Sequence, residues 1–336
     1  MALSGFRVLL AASGPQRVLL QAEFPQLEML ELKGYGVRYA VNGKRLVTGL
    51  ILRIPAILNR VRQEHSWVKK LCRERKIDAV ISDNRYGLYC PGKWNVFITH
   101  QLYIQSGLGS RVNRMLFRLN QRFIRRFSVC WVPDNKGPDS LAGLLSHPPL
   151  PVSFPVVYGG LLSRFTREKR GTAVSLLILI SGPEPQRTLF EEKVFHSLDA
   201  YSGEAVVLRG LPGQEGQTVT GERIRVYNHL EGKALNGLVN AAECIVARSG
   251  YSTIMDLAAL RKKAVLIPTP GQTEQEWLAG YLDEKNWARR LNEEAFSIGR
   301  CLELVSKNDF GFPAFQPGDF AERLTEDLRR RLNVLP

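Results

Sequence analysis

The stretch CIVARSGYSTIMDLAALRKKAVLIPTP, Cys244 to Pro270, sets an apolar strand-sized run, a polar turn, a helical pattern and a second apolar run in direct succession. Two short apolar runs joined by a helix form a βαβ unit, and its strands lie parallel because the crossover helix returns the chain to the same end of the sheet. The rhythm extends both ways. Upstream come SLLILISG, the helical TLFEEKVFHSL, the strands EAVVLRG and IRVYN, and a helix around LNGLVNAA; downstream comes the helix EQEWLAGYLDEK. Alternation with short connectors predicts an α/β fold with a parallel, doubly wound sheet.

The first half carries a looser form of the same pattern. FRVLLAAS, a turn at SGPQ, the helical RVLLQAEF and the apolar LEMLEL lead into a long basic helical region from Leu46 to Lys76, with Pro55 expected at its start or at a kink. Strand candidates IDAVISD, WNVFITH and VCWVPD follow, with a second basic helical region, GSRVNRMLFRLNQRFIRRF, before the last. After HPPLP the composition shifts to Pro, Gly and the charged run TREKRG, which places a linker near residues 158–172. The chain of 336 residues is long enough for two cores. It therefore divides into two Rossmann-like units, 1–160 and 161–336.

Bulk properties narrow the function classes. Hydrophobic content of 44% with 23% charged residues is ordinary for a folded globular chain. Apolar runs such as Leu176 to Ile180 are strand-sized, well below the ~18 residues of a membrane-spanning helix. The start lacks the basic segment and long apolar run of a signal peptide. Five cysteines, far apart and without metal-ligand or redox spacing, favour a reducing cytoplasm and give no metal site. The net charge of +14 points to an anionic partner: nucleic acid, an anionic membrane or a phosphorylated substrate.

In a doubly wound sheet, ligands collect at the carboxyl ends of the strands. Three loops of the second half meet there. SGPEPQR offers Gly182 for close backbone approach and Arg187 as a phosphate partner. Arg248, Ser249 and Gly250 precede a helix whose first turn, with Ser252 and Thr253, presents free N–H groups suited to a diphosphate. Thr253 and Asp256 also satisfy the spacing of a helix-capping box, which is the bland alternative for Asp256. In PTPGQTEQEW, Gln272, Gln275 and Glu276 have side chains able to bracket vicinal sugar hydroxyls. In the first half, Asp83, Asn84 and Arg85 stand at a strand end where a polar acceptor would lie.

The run from Ile245 to Leu282, with its Arg-Ser-Gly-x-x-Thr and Gln-rich motifs in order, resembles the nucleotide-sugar-binding half of the MurG-type glycosyltransferases of family 28. The resemblance implies the two-domain GT-B fold and a donor half at about residues 175–300. It implies transfer of a sugar, N-acetylglucosamine from its uridine diphosphate (UDP) donor, to a lipid-linked or lipopolysaccharide-type acceptor, with no cofactor and no metal. By it, Ser249, Gly250, Ser252 and Thr253 lie at the donor diphosphate, and Asp256 stands where the family holds the ribose with a longer glutamate. Gln275 and Glu276 stand where the family has a Gln-Gln pair at the sugar. VFITHQLYIQ nominates His100 as the catalytic base near the acceptor. The family opens with a strand and a Gly-rich loop bearing a histidine; here FRVLLAASGPQRVLLQAEFP looks like the second strand unit. Either the first βα unit is missing from the start, or SGPQR is a degenerate first loop. An epimerase of the same fold and a nucleotide-sugar-binding protein with impaired catalysis are the alternatives.

The basic helix at 109–128 sets Val112, Leu116, Leu119 and Phe123 at helical spacing among Arg111, Arg114, Arg118, Arg122, Arg125 and Arg126. Such a face docks on an anionic bilayer, which a lipid-linked acceptor would require. No recognised nucleic-acid motif accompanies the charge. The expectation is a cytoplasmic protein, peripheral at the inner face of the cytoplasmic membrane.

Overall fold

A computed structural model of the protein describes residues 5–32, 34, 46–168, 173–212, 217–220, 223–315 and 319–333. In the first half the chain runs β1 (Leu9–Ala12), α1 (Gly14–Glu23), β2 (Glu28–Glu31), α2 (Leu46–Arg75), β3 (Ala79–Asp83), β4 (Trp94–Ile98), α3 (Ser110–Ile124), β5 (Val129–Val132) and β6 (Val156–Tyr158). The four residues of β5 are all buried, as expected of a parallel strand covered on both faces. Strands β3, β4, β5 and β6 form one parallel sheet in that order, while β1 and β2 form a separate parallel pair. Helix α2 continues through Pro55 instead of starting or breaking there.

The second half runs β7 (Val174–Leu179), α4 (Gln186–Leu198), β8 (Ala205–Leu208), β9 (Gln217–Thr220), β10 (Ile224–Tyr227), α5 (Gly232–Ala241), β11 (Ala242–Ala247), α6 (Tyr251–Leu260), β12 (Ala264–Leu266), α7 (Thr273–Glu284), β13 (Arg289–Arg290), α8 (Ile298–Lys307) and α9 (Phe320–Leu332). Its sheet has the order β13-β12-β11-β7-β8-β10-β9, parallel throughout except for β9 at the edge. The chain lays down β7 first, then β8 and β10 outward on one side, and then crosses to add β11, β12 and β13 on the other. The crossing point between β7 and β11 is where such sheets open a ligand crevice. Apolar side chains fill both faces: Leu177, Ile254 and Leu278 on the α6 and α7 side, Ile178, Phe190 and Val246 on the α4 side.

The four-stranded sheet ends at Tyr158 and the seven-stranded one begins at Val174, but the last helix does not stay with the second. Phe320, Leu324 and Leu328 of α9 pack on Val96, Val129 and Trp131 of the first sheet. The Phe320 ring meets Trp131 edge-on at 5.4 Å. A side chain at Gly159 would collide with Phe320. Helix α9, last in the described chain, thus packs on the first sheet and not on the second.

The halves share a tightly bonded seam. Tyr251 Oη donates to Pro133 O at 2.7 Å, Trp277 Nε1 to Ala142 O at 3.2 Å and Tyr281 Oη to Ser140 O at 3.0 Å. The loop they grip is ordered from within by Asp134, fully buried, which accepts the N–H groups of Leu141 and Ala142 and the Ser146 hydroxyl. Burial raises the Asp134 carboxyl above its usual range against those donors.

Candidate functional site

The loops after β4, β11 and β12 converge across this seam. His100, just past β4, lies flat on Tyr251 at the first position of α6, with ring centroids 4.0 Å apart and planes at 11°. Its Nε2 lies 2.7 Å from Glu274 Oε1 at the start of α7. A histidine from one half and a carboxylate from the other thus form a pair across the seam. The loop carrying His100 is held to α3 by two buried asparagines. Asn120 Nδ2 donates to the carbonyls of Gln101 and Leu102, and Asn113 Oδ1 accepts from Ser106. Those asparagines occupy the inward face of α3 with Phe117 and Ile124.

The amino end of α6 lies beside this pair, since Tyr251 is its first residue. Its N-cap is Gly250, no side chain caps it, and a Cβ at Gly250 would meet nothing within 4 Å. Ser252 is exposed and Thr253 partly so. The first-turn N–H groups and the positive end of the helix dipole are therefore available to an anion. Gly182, in the loop after β7, has φ of 116° and equally open surroundings.

Several residues nominated from sequence are committed elsewhere. Arg248 is 1% exposed, pairs with Glu293 at 2.7 Å, donates to the carbonyl of Gln186 and stacks over Phe190, so it holds the core and does not face a ligand. Arg187 is buried among Glu184, Glu191 and the Arg209 carbonyl, so its charge is already matched. Arg85 is paired with the buried Glu64 of α2 and is not free to meet an acceptor. Ser249 Oγ donates to Gln275 O and is fully buried.

Asp256 and the glutamine loop also differ from expectation. Because α6 starts at Tyr251, Thr253 is inside the first turn and caps nothing, which removes the capping-box reading. Asp256 Oδ1 instead accepts from Ser163 Oγ at 2.6 Å. Burial raises its carboxyl to about 6, opposed by Ser163 and by the charge of Arg164. Gln275 accepts Thr269 N–H and donates to Gln272, and Glu276 accepts Gly271 N–H, so both staple the β12–α7 loop. The residue of that helix start that meets the first half is Glu274, through His100, and sequence reasoning passed over it. It also passed over Thr269, 1% exposed, whose Oγ1, like Gln272 Nε2, has no hydrogen-bond partner.

On the first-half side, Asp83 ends β3 and Asn84 follows it with a left-handed φ of 54°. Asn84 Oδ1 accepts from Thr99 Oγ1. Surrounding protein raises the Asp83 carboxyl above its usual range, and nearby His100 opposes the rise. Among the described residues, no group of three or more His, Cys, Asp or Glu converges as a metal site, and no helix is long and apolar enough to cross a membrane.

Residues 192–308 match the glycosyltransferase family 28 C-terminal domain. A stretch of 76 residues is 47% identical to the UDP-N-acetylglucosamine--N-acetylmuramyl-(pentapeptide) pyrophosphoryl-undecaprenol N-acetylglucosamine transferase of Methylorubrum populi, covering 22% of this chain and 20% of that enzyme. The chain thus matches about a fifth of that relative's length. Two crystal structures share the whole fold: the glycotransferase of kitacinnamycin and Acinetobacter baumannii MurG. The first has a TM-score of 0.58 at 15% identity, covering 99% of this chain and 89% of that one. The second has a TM-score of 0.51 at 15% identity, covering 91% and 83%. The fold is GT-B, and the resemblance to MurG-type glycosyltransferases read from the sequence is borne out.

Proposed function

From a GT-B chain whose second half carries the family 28 domain, we propose a glycosyltransferase that moves a sugar, N-acetylglucosamine foremost, from its UDP donor to a hydroxyl of a lipid-linked acceptor. The observation that carries this reading is the histidine–carboxylate pair His100–Glu274, facing the same cleft as the uncapped amino end of α6. The donor diphosphate lies on the N–H groups of Gly250, Ser252 and Thr253, with Asp256 toward the ribose. Glu274 accepts the Nε2 proton of His100 and so leaves the lone pair on Nδ1. His100 takes the acceptor hydroxyl proton as the oxygen attacks the anomeric carbon. The bond from that carbon to the diphosphate breaks, and the charge on the departing UDP is held by the helix end without need of a metal ion.

A lipid-linked acceptor would reach the cleft from a membrane surface. The outward face of α3 carries Arg111, Arg114, Arg118 and Arg122, with Met115 60% and Leu119 46% exposed among them. Arginines ringing exposed apolar side chains suit an anionic bilayer at the inner face of the cytoplasmic membrane.

Titration calorimetry with UDP-N-acetylglucosamine tests the donor site, and absence of binding by any UDP-sugar overturns the reading. Product analysis with donor alone and with membrane extract separates transfer from epimerisation and from binding without turnover.

A further inference from the structure

We propose that Tyr251 is the positioning residue for His100: its ring is the fixed surface that sets the plane of the imidazole, while Glu274 sets its direction. The inference rests on the reading of His100 as the base that takes the acceptor proton. The two rings lie 4.0 Å apart between centroids with planes at 11°, and His100 Nε2 lies 2.7 Å from Glu274 Oε1.

A single hydrogen bond leaves an imidazole free to turn about the N···O line, so Glu274 alone would not fix where Nδ1 points. A flat partner against the ring face removes that freedom, because tilting the ring loses contact over the whole face. The backbone on either side of His100 is already held. Thr99 N–H donates to Trp131 O at 3.2 Å, Thr99 Oγ1 donates to Asn84 Oδ1 at 3.2 Å, and Gln101 N–H donates to Thr99 Oγ1 at 3.0 Å. With the backbone, the ring plane and one nitrogen all fixed, the remaining nitrogen has one direction.

Tyr251 serves as a fixed surface because it is anchored at both ends. Its backbone belongs to the first turn of α6, directly after the Gly250 N-cap. Its hydroxyl donates to Pro133 O at 2.7 Å, just past β5, with the Asp134 carboxylate beside it. The residue is buried and shares a core cluster with Leu141, Ala142 and Leu145 of the first half. Burial first, and then the charge of Asp134, push its phenol well above the usual tyrosine range. The hydroxyl therefore stays protonated at neutral pH and exchanges no proton with His100, so the ring face is the part that acts on the imidazole. As the first residue of α6, Tyr251 also holds His100 beside the helix end assigned to the donor diphosphate.

Nitrogen NMR of the imidazoles in the whole chain, with His100 assigned by the signal lost in His100→Gln, reads this arrangement without any substrate. At about pH 8, where free imidazole is neutral, His100 is expected as a single tautomer with its proton on Nε2 and its ring protons moved upfield by the Tyr251 ring. A parent protein showing both tautomers in exchange would overturn the proposal, whether or not any variant folds. Tyr251→Phe keeps the ring face and should keep this signature, with kcat within about threefold of the parent. Tyr251→Leu removes the face. Its two nitrogens should move toward tautomer averaging, and kcat should fall at least about tenfold while the donor Kd stays within about threefold. Core packing alone would lower Tm in Tyr251→Leu and leave the tautomer as it was. That result, a loss of donor affinity equal to the loss in kcat, or a Tyr251→Phe as impaired as Tyr251→Leu overturns the proposal. If the parent turns over no UDP-sugar, the transferase reading falls instead, and the nitrogen signature still decides the role of Tyr251.

Discussion

Glu293→Ala should be among the most destabilising single changes in the second half, although Glu293 touches no proposed ligand. Its carboxylate lies 2.7 Å from the guanidinium of Arg248, with the two side chains 4% and 1% exposed. Burial pulls Arg248 below the ordinary arginine range, and the charge of Glu293 opposes that pull. Removing one partner of a buried pair costs about 3–5 kcal/mol, because the other charge is left without a counter-charge in a low-dielectric site. Arg248 keeps the Gln186 carbonyl at 3.2 Å and the Phe190 ring at 4.1 Å, so the lower end, about 3 kcal/mol, is expected. For a unit of this size that is a fall of about 6–12 °C in Tm, measurable by calorimetry. The double variant R248M/E293Q removes both charges and fills much of the same volume. It should stay within about 1.5 kcal/mol of the parent, since a buried ion pair gives little net stability over an apolar replacement. Lys193, the other partner of Glu293, is half exposed and turns to water. A Glu293→Ala shift under about 2 °C, or a double variant as unstable as the single one, would refute the assignment of Arg248 to the core.

Asp256 makes a pH prediction. Its folded carboxyl is raised to about 6 from 3.8, so the folded state binds the proton more tightly and stability falls as pH rises between those values. Asp256→Asn should therefore be more stable than the parent above pH 6, by up to about 3 kcal/mol, with the advantage gone below pH 4; denaturant titrations across that range decide it. The same variant should weaken UDP-sugar binding if Asp256 reaches the ribose. Glu274→Gln should lower kcat at least about tenfold with little change in donor affinity, whereas equal loss of both would place Glu274 on the donor. Asn120→Leu, which strips the carbonyls of Gln101 and Leu102 of their donor, should cost about 1–3 kcal/mol and lower kcat through the His100 loop. Replacing Arg114, Arg118 and Arg122 by Glu should abolish flotation with anionic vesicles while leaving Tm nearly unchanged, because all three are exposed.

Much of the donor side was legible because its signals are local. Strand-sized apolar runs, a glycine before a helical pattern and a short turn lie within a few residues of each other from Cys244 to Pro270, and β11, α6 and β12 follow them closely. Glu274 was not legible. Successive residues on a helix point about 100° apart, so which of Glu274, Gln275 and Glu276 meets the cleft depends on the helix starting at Thr273. The outward face of α3 was only half visible. Its buried stripe is Asn113, Phe117, Asn120 and Ile124, and Leu119, read as one apolar row with Val112, Leu116 and Phe123, faces out beside the arginines.

By itself, then, the sequence determined the alternation of strand and helix and its recurrence in both halves, because each follows from hydrophobic periodicity or turn chemistry within one short window. Tertiary structure alone decided which charges are spoken for. Arg85 and Arg248 look like ligand-binding arginines in a string of letters, yet each is claimed by a buried carboxylate that the fold brings beside it, whereas Arg187 pairs with Glu191 one turn along its own helix. An ion pair forms through space, and its partner can come from any distance along the chain. Tertiary structure also decided that His100 faces Glu274, since that depends on how separate elements are placed and not on what either element is made of.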